Sequence, residues 1–341
     1  VRSRQWTYSM AEQLTIDPER LRVVADLLPL VESLLPTMKS VEDSWQPSDF
    51  LPDFGSEDWR TDLEDLQGEA ANLTDEMLVV LVGNVVTEEA LPSYQAALNR
   101  FGGLTDRTGT ETHAWAVWSR AWTAEEKRHG DVTRAYLYLS GRVNMRSVEQ
   151  TIQHLLRGGF DTGADGDPFR GLSYASIQEH ATKTSWQQLG SIVGQVGAKR
   201  LHRLCGLVAA DEARHERAYR AMMKGVLDRD PDGALEALRY SLGHVAMPAK
   251  TMSDGRSRRL FEQFAVVGQR LGVYGLRDYA NNVDGFVQEL GLETLDGLEA
   301  GSAQFQDEIC AMPERYRRQA QVLERQKFRT VPFRWIHDRR A

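Results

Sequence analysis

Two short strings in the chain repeat one chemical pattern. Glu125-Glu126-Lys127-Arg128-His129 and Asp211-Glu212-Ala213-Arg214-His215 each run acid, Glu, any residue, Arg, His. On a helix, a Glu and a His three residues apart share a face, so each string can offer a carboxylate oxygen and an imidazole nitrogen to one metal ion. A bare Glu-x-x-His is weak: with 8 His in the chain, about 0.6 such pairs arise from composition alone. Two copies with matching flanks carry more. Each copy also has a candidate partner upstream, Glu88 lying 38 residues before Glu126 and Glu179 lying 33 residues before Glu212.

The resulting order is Glu, Glu-x-x-His, Glu, Glu-x-x-His on four helices, the donor set of ferritin-like di-iron carboxylate bundles. Carboxylate and imidazole donors suit iron or manganese and can leave positions open for dioxygen. The neighbours read more plainly. Glu89, Glu125 and Glu216 are expected as solvated or salt-bridged helix residues, and Trp122 as core. Arg128 and Arg214 either brace ligand carboxylates or form inter-helix ion pairs. Asp211 is a candidate to orient a ligand histidine. His180 directly follows Glu179 and so points elsewhere, while His113, His154, His202, His244 and His337 belong to no motif.

The elements that must position these groups are helical. Apolar residues recur at spacings of three and four over 19–35, 76–101, 112–140, 145–157, 191–225, 257–273 and 303–325. Gly and Pro punctuate the gaps, as at Gly102-Gly103, Gly158-Gly159 and Asp230-Pro231-Asp232-Gly233. No alternating strand pattern accompanies them. The expectation is one all-α domain over 1–341: an N-terminal arm with a first helix over 1–53, a helical core over 54–326 and an extended tail over 327–341.

Composition narrows the function. The 341 residues carry a net charge of −8, which argues against a dedicated nucleic-acid binder. The longest apolar stretch, Met77 to Val86, is broken by Gly83 and Asn84 and is too short for a membrane span. Two cysteines, Cys205 and Cys310, cannot build a four-thiolate cluster. No Gly-x-Gly-x-x-Gly unit for a nicotinamide or flavin is present, so redox chemistry at this site needs electrons from outside. The chain opens on Val1, so a removed targeting segment is compatible with it.

Longer strings point to a family. Trp45-Gln46-Pro47-Ser48-Asp49-Phe50-Leu51-Pro52-Asp53, Thr87-Glu88-Glu89-Ala90-Leu91-Pro92, Arg120-Ala121-Trp122-Thr123-Ala124-Glu125-Glu126, Tyr136-Leu137-Tyr138-Leu139-Ser140-Gly141-Arg142-Val143 and Gln269-Arg270-Leu271-Gly272-Val273-Tyr274 resemble the soluble acyl-acyl-carrier-protein desaturases of the plant plastid stearoyl type. The resemblance runs from about Val41 to Asp338. It implies a homodimer with two iron ions per subunit, which uses dioxygen to place a cis double bond in a saturated acyl chain on acyl carrier protein. Ferredoxin would be the electron donor, and the plastid stroma the location, or the cytoplasm for a bacterial protein.

By matching position the implied ligands are Glu88, Glu126, His129, Glu179, Glu212 and His215, the six that helical spacing selects. The resemblance also puts Thr182 beside the dioxygen site as a catalytic candidate, and Thr87, which directly precedes Glu88, is a second. Trp45 and Asp211 become a relay to a ligand histidine. Ala97 and Phe101 fall at the closed end of a substrate tunnel, where a bulky Phe101 shortens it and a small Ala97 opens it. Lys183 and Trp186 depart from the family pattern just after Glu179 and Thr182, which makes Trp186 a further substrate-contact candidate. The dock for the acidic carrier should be locally basic, with Lys199, Arg200 and Arg203, or Arg256, Arg258 and Arg259, as candidates. A di-iron hydroxylase or monooxygenase and a ferritin-like iron-binding protein are the alternatives that the same donor set allows.

Overall fold

The computed structural model describes residues 16–244, 247–257, 259–326 and 329–341. The chain enters through α1 (Pro18–Asp26) and α2 (Leu28–Leu34), then crosses an irregular stretch to α3 (Trp59–Ala71). Next come α4 (Asp75–Glu88), α5 (Leu91–Leu98), α6 (Ala114–Ser140), α7 (Met145–Gly158), α8 (Pro168–Gln195) and α9 (Lys199–Leu227). The described helices end with α10 (Pro231–Gly243), α11 (Leu260–Leu271), α12 (Leu276–Glu289) and α13 (Ala300–Glu324). Among the described residues, strand is limited to β1 (Pro332–Phe333) paired antiparallel with β2 (Arg339–Arg340).

The fold is all-α: a ferritin-like bundle of α4, α6, α8 and α9 with flanking helices. α8 and α9 pack along each other's length, and α4 lies against α6, α8 and α11. α4 is the innermost helix. Thr74 caps it by accepting the Met77 N–H at 3.3 Å, and Asp75 and Glu76 sit in its first turn, where the helix dipole favours acids. Every residue from Met77 to Val86 is buried, so the apolar run is the mark of a helix covered on all sides. Gly83 is required there: a Cβ would come within 2.1 Å of the Phe264 ring of α11.

Two of the long inner helices have clear limits. α6 starts at His113, whose Nδ1 accepts the Ala116 N–H at 3.3 Å, and stops at Gly141 in the left-handed region (φ 64°). α8 starts at Asp167, whose carboxylate accepts the Phe169 and Arg170 N–H groups, with Pro168 in the first turn.

Sequence periodicity misplaces several boundaries. The segment 76–101 is two helices, because Pro92 opens a new one. The segment 191–225 hides the turn between α8 and α9. Most of α8 lies outside the periodic segments: it is buried on several sides by small residues such as Gly171, Ser173, Ser176 and Ala181, which leaves no apolar stripe to detect. The tail is not simply extended either. It turns back on itself, and Phe333, Trp335 and Ile336 are buried. Among the described residues, no single helix is long and apolar enough to cross a membrane.

Candidate metal centre

Each helix of the bundle brings its acids inward. Glu88 is the last residue of α4, Glu126 and His129 lie one turn apart on α6, Glu179 is in α8, and Glu212 and His215 repeat the spacing on α9. All six are buried. They form two groups that share members: Glu88, Glu126, His129 and Glu212; and Glu126, Glu179, Glu212 and His215. Within each group one donor atom per residue lies within 4.8 Å of the others. Glu126 and Glu212 belong to both groups and so could bridge two ions, with Glu88 and His129 at one end and Glu179 and His215 at the other.

The chemistry of the donors fits cations. His129 Nδ1, His215 Nδ1, Glu126 Oε1 and Glu212 Oε1 are buried without a hydrogen-bond partner, although His215 Nδ1 comes within 2.9 Å of Glu126 Oε1. Buried polar atoms are normally satisfied, so four converging orphans call for a shared partner. Four carboxylates gathered in one buried space also repel each other. Burial and the neighbouring Glu212 raise the Glu88 carboxyl well above its ordinary value, and Glu179 behaves alike. Burial alone would lower both histidines; the Glu126 carboxylate by His129, and Glu125 with Glu126 by His215, raise them instead. Protons thus do what two divalent cations would do better, offsetting four negative charges.

A second layer holds the histidines. Asp211 Oδ2 lies 3.5 Å from His129 Nε2 and accepts the Trp45 indole N–H at 2.9 Å. The Trp45 ring stacks on His129, with centroids 6.1 Å apart, so the expected Trp45–Asp211–His129 contact is present in the structure. Glu125 Oε2 lies 3.1 Å from His215 Nε2. Glu125 is thus the salt-bridged rather than the solvated helix residue of the two expected, paired with Arg214 at 2.6 Å, and it also does for His215 what Asp211 does for His129. A proton on Nε2 of each ring leaves the Nδ1 lone pair facing the donor cluster. The arginines brace this layer rather than the inner carboxylates. Arg214 donates to Glu125 at 2.6 Å and to Asp211 at 2.7 Å, and Arg128 donates to Asp211 at 3.3 Å and to the Trp45 carbonyl at 3.0 Å. Burial pushes the Asp211 and Glu125 carboxyls up, but the histidine and arginine beside each outweigh it and hold both below the ordinary range.

The outer carboxylates are held by indoles. Trp122 Nε1 donates to Glu179 Oε1 at 3.0 Å, and Trp186 Nε1 donates to Glu88 Oε1 at 2.8 Å. Trp122 is thus more than core. The remaining neighbours turn away. His180 and Lys183 meet Glu216, with His180 Nδ1 2.6 Å from it, and Arg134 donates to Glu89 at 3.1 Å.

An apolar cavity borders the donors in two arms that share Thr87, Glu88, Gln178, Thr182 and Pro248. One arm runs past Tyr94 and Ala97 to Phe101, and the other past Trp186 to Phe261 and Phe264. Ala97 and Phe101 therefore lie together, and Trp186 lies in the opposite arm. The hydroxyls of Thr87 and Thr182 donate to carbonyls one turn back, at 3.0 Å to Gly83 and 3.1 Å to Gln178, so in this rotamer each offers the cavity an acceptor.

The basic candidates separate. Arg200 is spent on Asp62 and on the Phe50 carbonyl at 3.0 Å, and Arg203 lies over the Phe50 ring. Arg256 and Arg259 are exposed, beside the segment that walls the second arm; Arg258 lies outside the described residues. Cys205 and Cys310 are free thiols.

The pattern of the fatty acid desaturase family matches residues 19–337. The chain is 45% identical to stearoyl-[acyl-carrier-protein] 9-desaturase 1, chloroplastic, of Oryza sativa subsp. indica, over 98% of this chain and 88% of that one. It is 42% identical to the acyl-[acyl-carrier-protein] 6-desaturase of Thunbergia alata, over 95% and 85%. Among solved structures, DesA2 of Mycobacterium tuberculosis superposes with a TM-score of 0.55 at 18% identity, over 83% of this chain and 99% of that one, a likeness of fold.

Proposed function

The chain belongs to the fatty acid desaturase family, and from that premise we propose that it desaturates a saturated acyl chain carried on acyl carrier protein. The observation that carries this reading is the shared wall: Glu88, Glu126, Glu179 and Glu212 line the same apolar cavity that could hold an acyl chain. An unactivated methylene is too weakly acidic for any side-chain base. Two iron ions held by Glu88, Glu126, His129, Glu179, Glu212 and His215 would supply, with dioxygen, the oxidising power to remove two hydrogens.

The balance is one acyl chain, one dioxygen, two electrons and two protons in, and one alkene and two waters out. The chain's own residues would do the rest. Apolar walls from Tyr94 to Phe101 would exclude water and fix the alkyl end, and a stop at Phe101 would set which carbons lie beside the donors. Thr182 and Thr87 would be the hydroxyls that hold a water or donate a proton there. Trp45 and Asp211 connect His129 to the outer face of α6 and α9, a route for electrons from ferredoxin. The acidic carrier would dock where Arg256 and Arg259 are exposed, beside the segment that walls the second arm. Assembly as a homodimer and residence in the plastid stroma complete the reading; relatives named chloroplastic support the plastid.

The test is aerobic turnover with iron, reduced ferredoxin and a panel of saturated acyl carrier protein thioesters, read by product mass. Loss of two hydrogens from one chain length is expected, and Glu212→Ala should abolish it while the helical content persists. A gain of one oxygen would make the protein a hydroxylase instead.

A further inference from the structure

The two outer carboxylates are treated alike by unlike parts of the sequence. In each, Oε1 accepts an indole N–H and Oε2 faces a histidine: Glu179 Oε2 lies 3.5 Å from His215 Nδ1, and Glu88 Oε2 lies 3.9 Å from His129 Nδ1. The indoles do not follow the internal duplication. Trp122 lies four residues before Glu126 on α6, and the matching place on α9, four before Glu212, is Val208. The donor to Glu88 comes instead from α8, where Trp186 follows Glu179 by seven residues. Seven residues are nearly two helical turns, or a rise of about 10 Å on the same face, which carries the ring across to the end of α4.

Trp186 is 1% exposed, and an indole is a donor only. Its single polar atom has one partner, Glu88 Oε1. If Glu88 swung to offer both oxygens to a cation, that N–H would be left buried and unpaired, which native structures avoid. We propose that Trp186 is a positioning residue that reserves one oxygen of Glu88, so that Glu88 offers a single oxygen to the metal beside His129. This rests on the reading of Glu88 as a metal ligand. It gives Trp186 a role in the centre itself as well as in the cavity wall.

Cobalt(II) is the probe, because its visible absorption weakens as coordination number rises. The full chain is loaded anaerobically, and cobalt content and absorbance per cobalt are recorded without substrate. Three replacements are compared with the parent protein: Trp186→Phe, an isosteric benzothienyl analogue of tryptophan at position 186 that lacks only the N–H, and Phe264→Leu, which disturbs the same cavity wall. The isostere keeps the shape of the ring and guards against misfolding of Trp186→Phe. Two cobalt ions per chain are expected throughout, with weaker absorbance per cobalt in both N–H-less proteins and no change in Phe264→Leu. Two cobalt ions with the parent spectrum in the isostere would overturn the role of Trp186 while leaving the metal centre standing. A parent protein that binds no cobalt would overturn the ligand reading, and this inference with it.

Discussion

Glu125 Oε2 lies 3.1 Å from Nε2 of His215, and Glu125 belongs to the string that carries the other histidine. Asp211, from the string that carries His215, stands 3.5 Å from Nε2 of His129. Each Glu-x-x-His motif is thus steadied by the acid that opens its counterpart, and α6 and α9 cannot shift against each other without loosening both. Arg214 reaches both acids, which ties the crossed pairs together.

The crossing predicts selective damage. Glu125→Ala should weaken one metal site by roughly 10–100-fold and Asp211→Ala the other, as is usual when the partner of a ligating histidine is lost. Stepwise cobalt titration would read this, with one of the two ions released from each variant. Equal loss of both ions from both variants would contradict separate roles.

Phe101 should set acyl length. It is buried, lines the cavity beside the donors and packs so closely on Gly171 that a Cβ there would fall 2.5 Å from the ring. Phe101→Leu should raise kcat/KM for longer chains relative to shorter ones, on the order of ten-fold or more per added methylene that the new space accepts. Competition between thioesters of different length, resolved by product mass, checks this.

Metal and pH should be linked. Burial, with Glu212 nearby, raises Glu88 and Glu179, and carboxylates beside them raise His129 and His215 against their burial. Groups raised in the folded state stabilise the metal-free protein below their unfolded values and lose that contribution as pH rises through the folded ones. Metal-free protein should therefore lose stability from weakly acidic pH upward, while bound metal adds about 2.7 kcal/mol per site at a free concentration one hundred times Kd. Thermal melts with and without chelator should show a gap in Tm that widens with pH.

A surface pairing gives the opposite sign. Glu236 accepts from Arg170 at 2.6 Å and from Arg20 of α1 at 2.5 Å. Burial pushes its carboxyl up, but the two arginines prevail and lower it. Its contribution is present above the unfolded value and is lost as pH falls through the folded one. Because the pair is partly exposed, Glu236→Gln should cost only about 0.5–1 kcal/mol at neutral pH. In acid melts, the difference from the parent should vanish.

What the sequence made legible was what repeats. The duplicated strings and their upstream acids selected six residues that the fold brings into two adjoining groups. Glu125 and Asp211 open the two strings at matching places, so the duplication marks both acids as partners of the histidines. Trp186 could not be read this way, since its N–H meets Glu88 through the packing of α8 on α4, 98 residues apart in sequence. α8 itself left little trace, because small residues such as Gly171, Ser173, Ser176 and Ala181 stand on its buried sides where an apolar stripe would otherwise set the period.

The most direct test of the centre is a count of metal per chain in protein reconstituted with ferrous iron, by plasma mass spectrometry. Two irons for the parent protein, and one each for Glu88→Ala and Glu179→Ala, are predicted, since each variant loses an outer ligand from one group only. A parent protein holding one iron or none would contradict the two-metal site, and outer-ligand variants that both keep two would contradict Glu88 and Glu179 as its outer ligands.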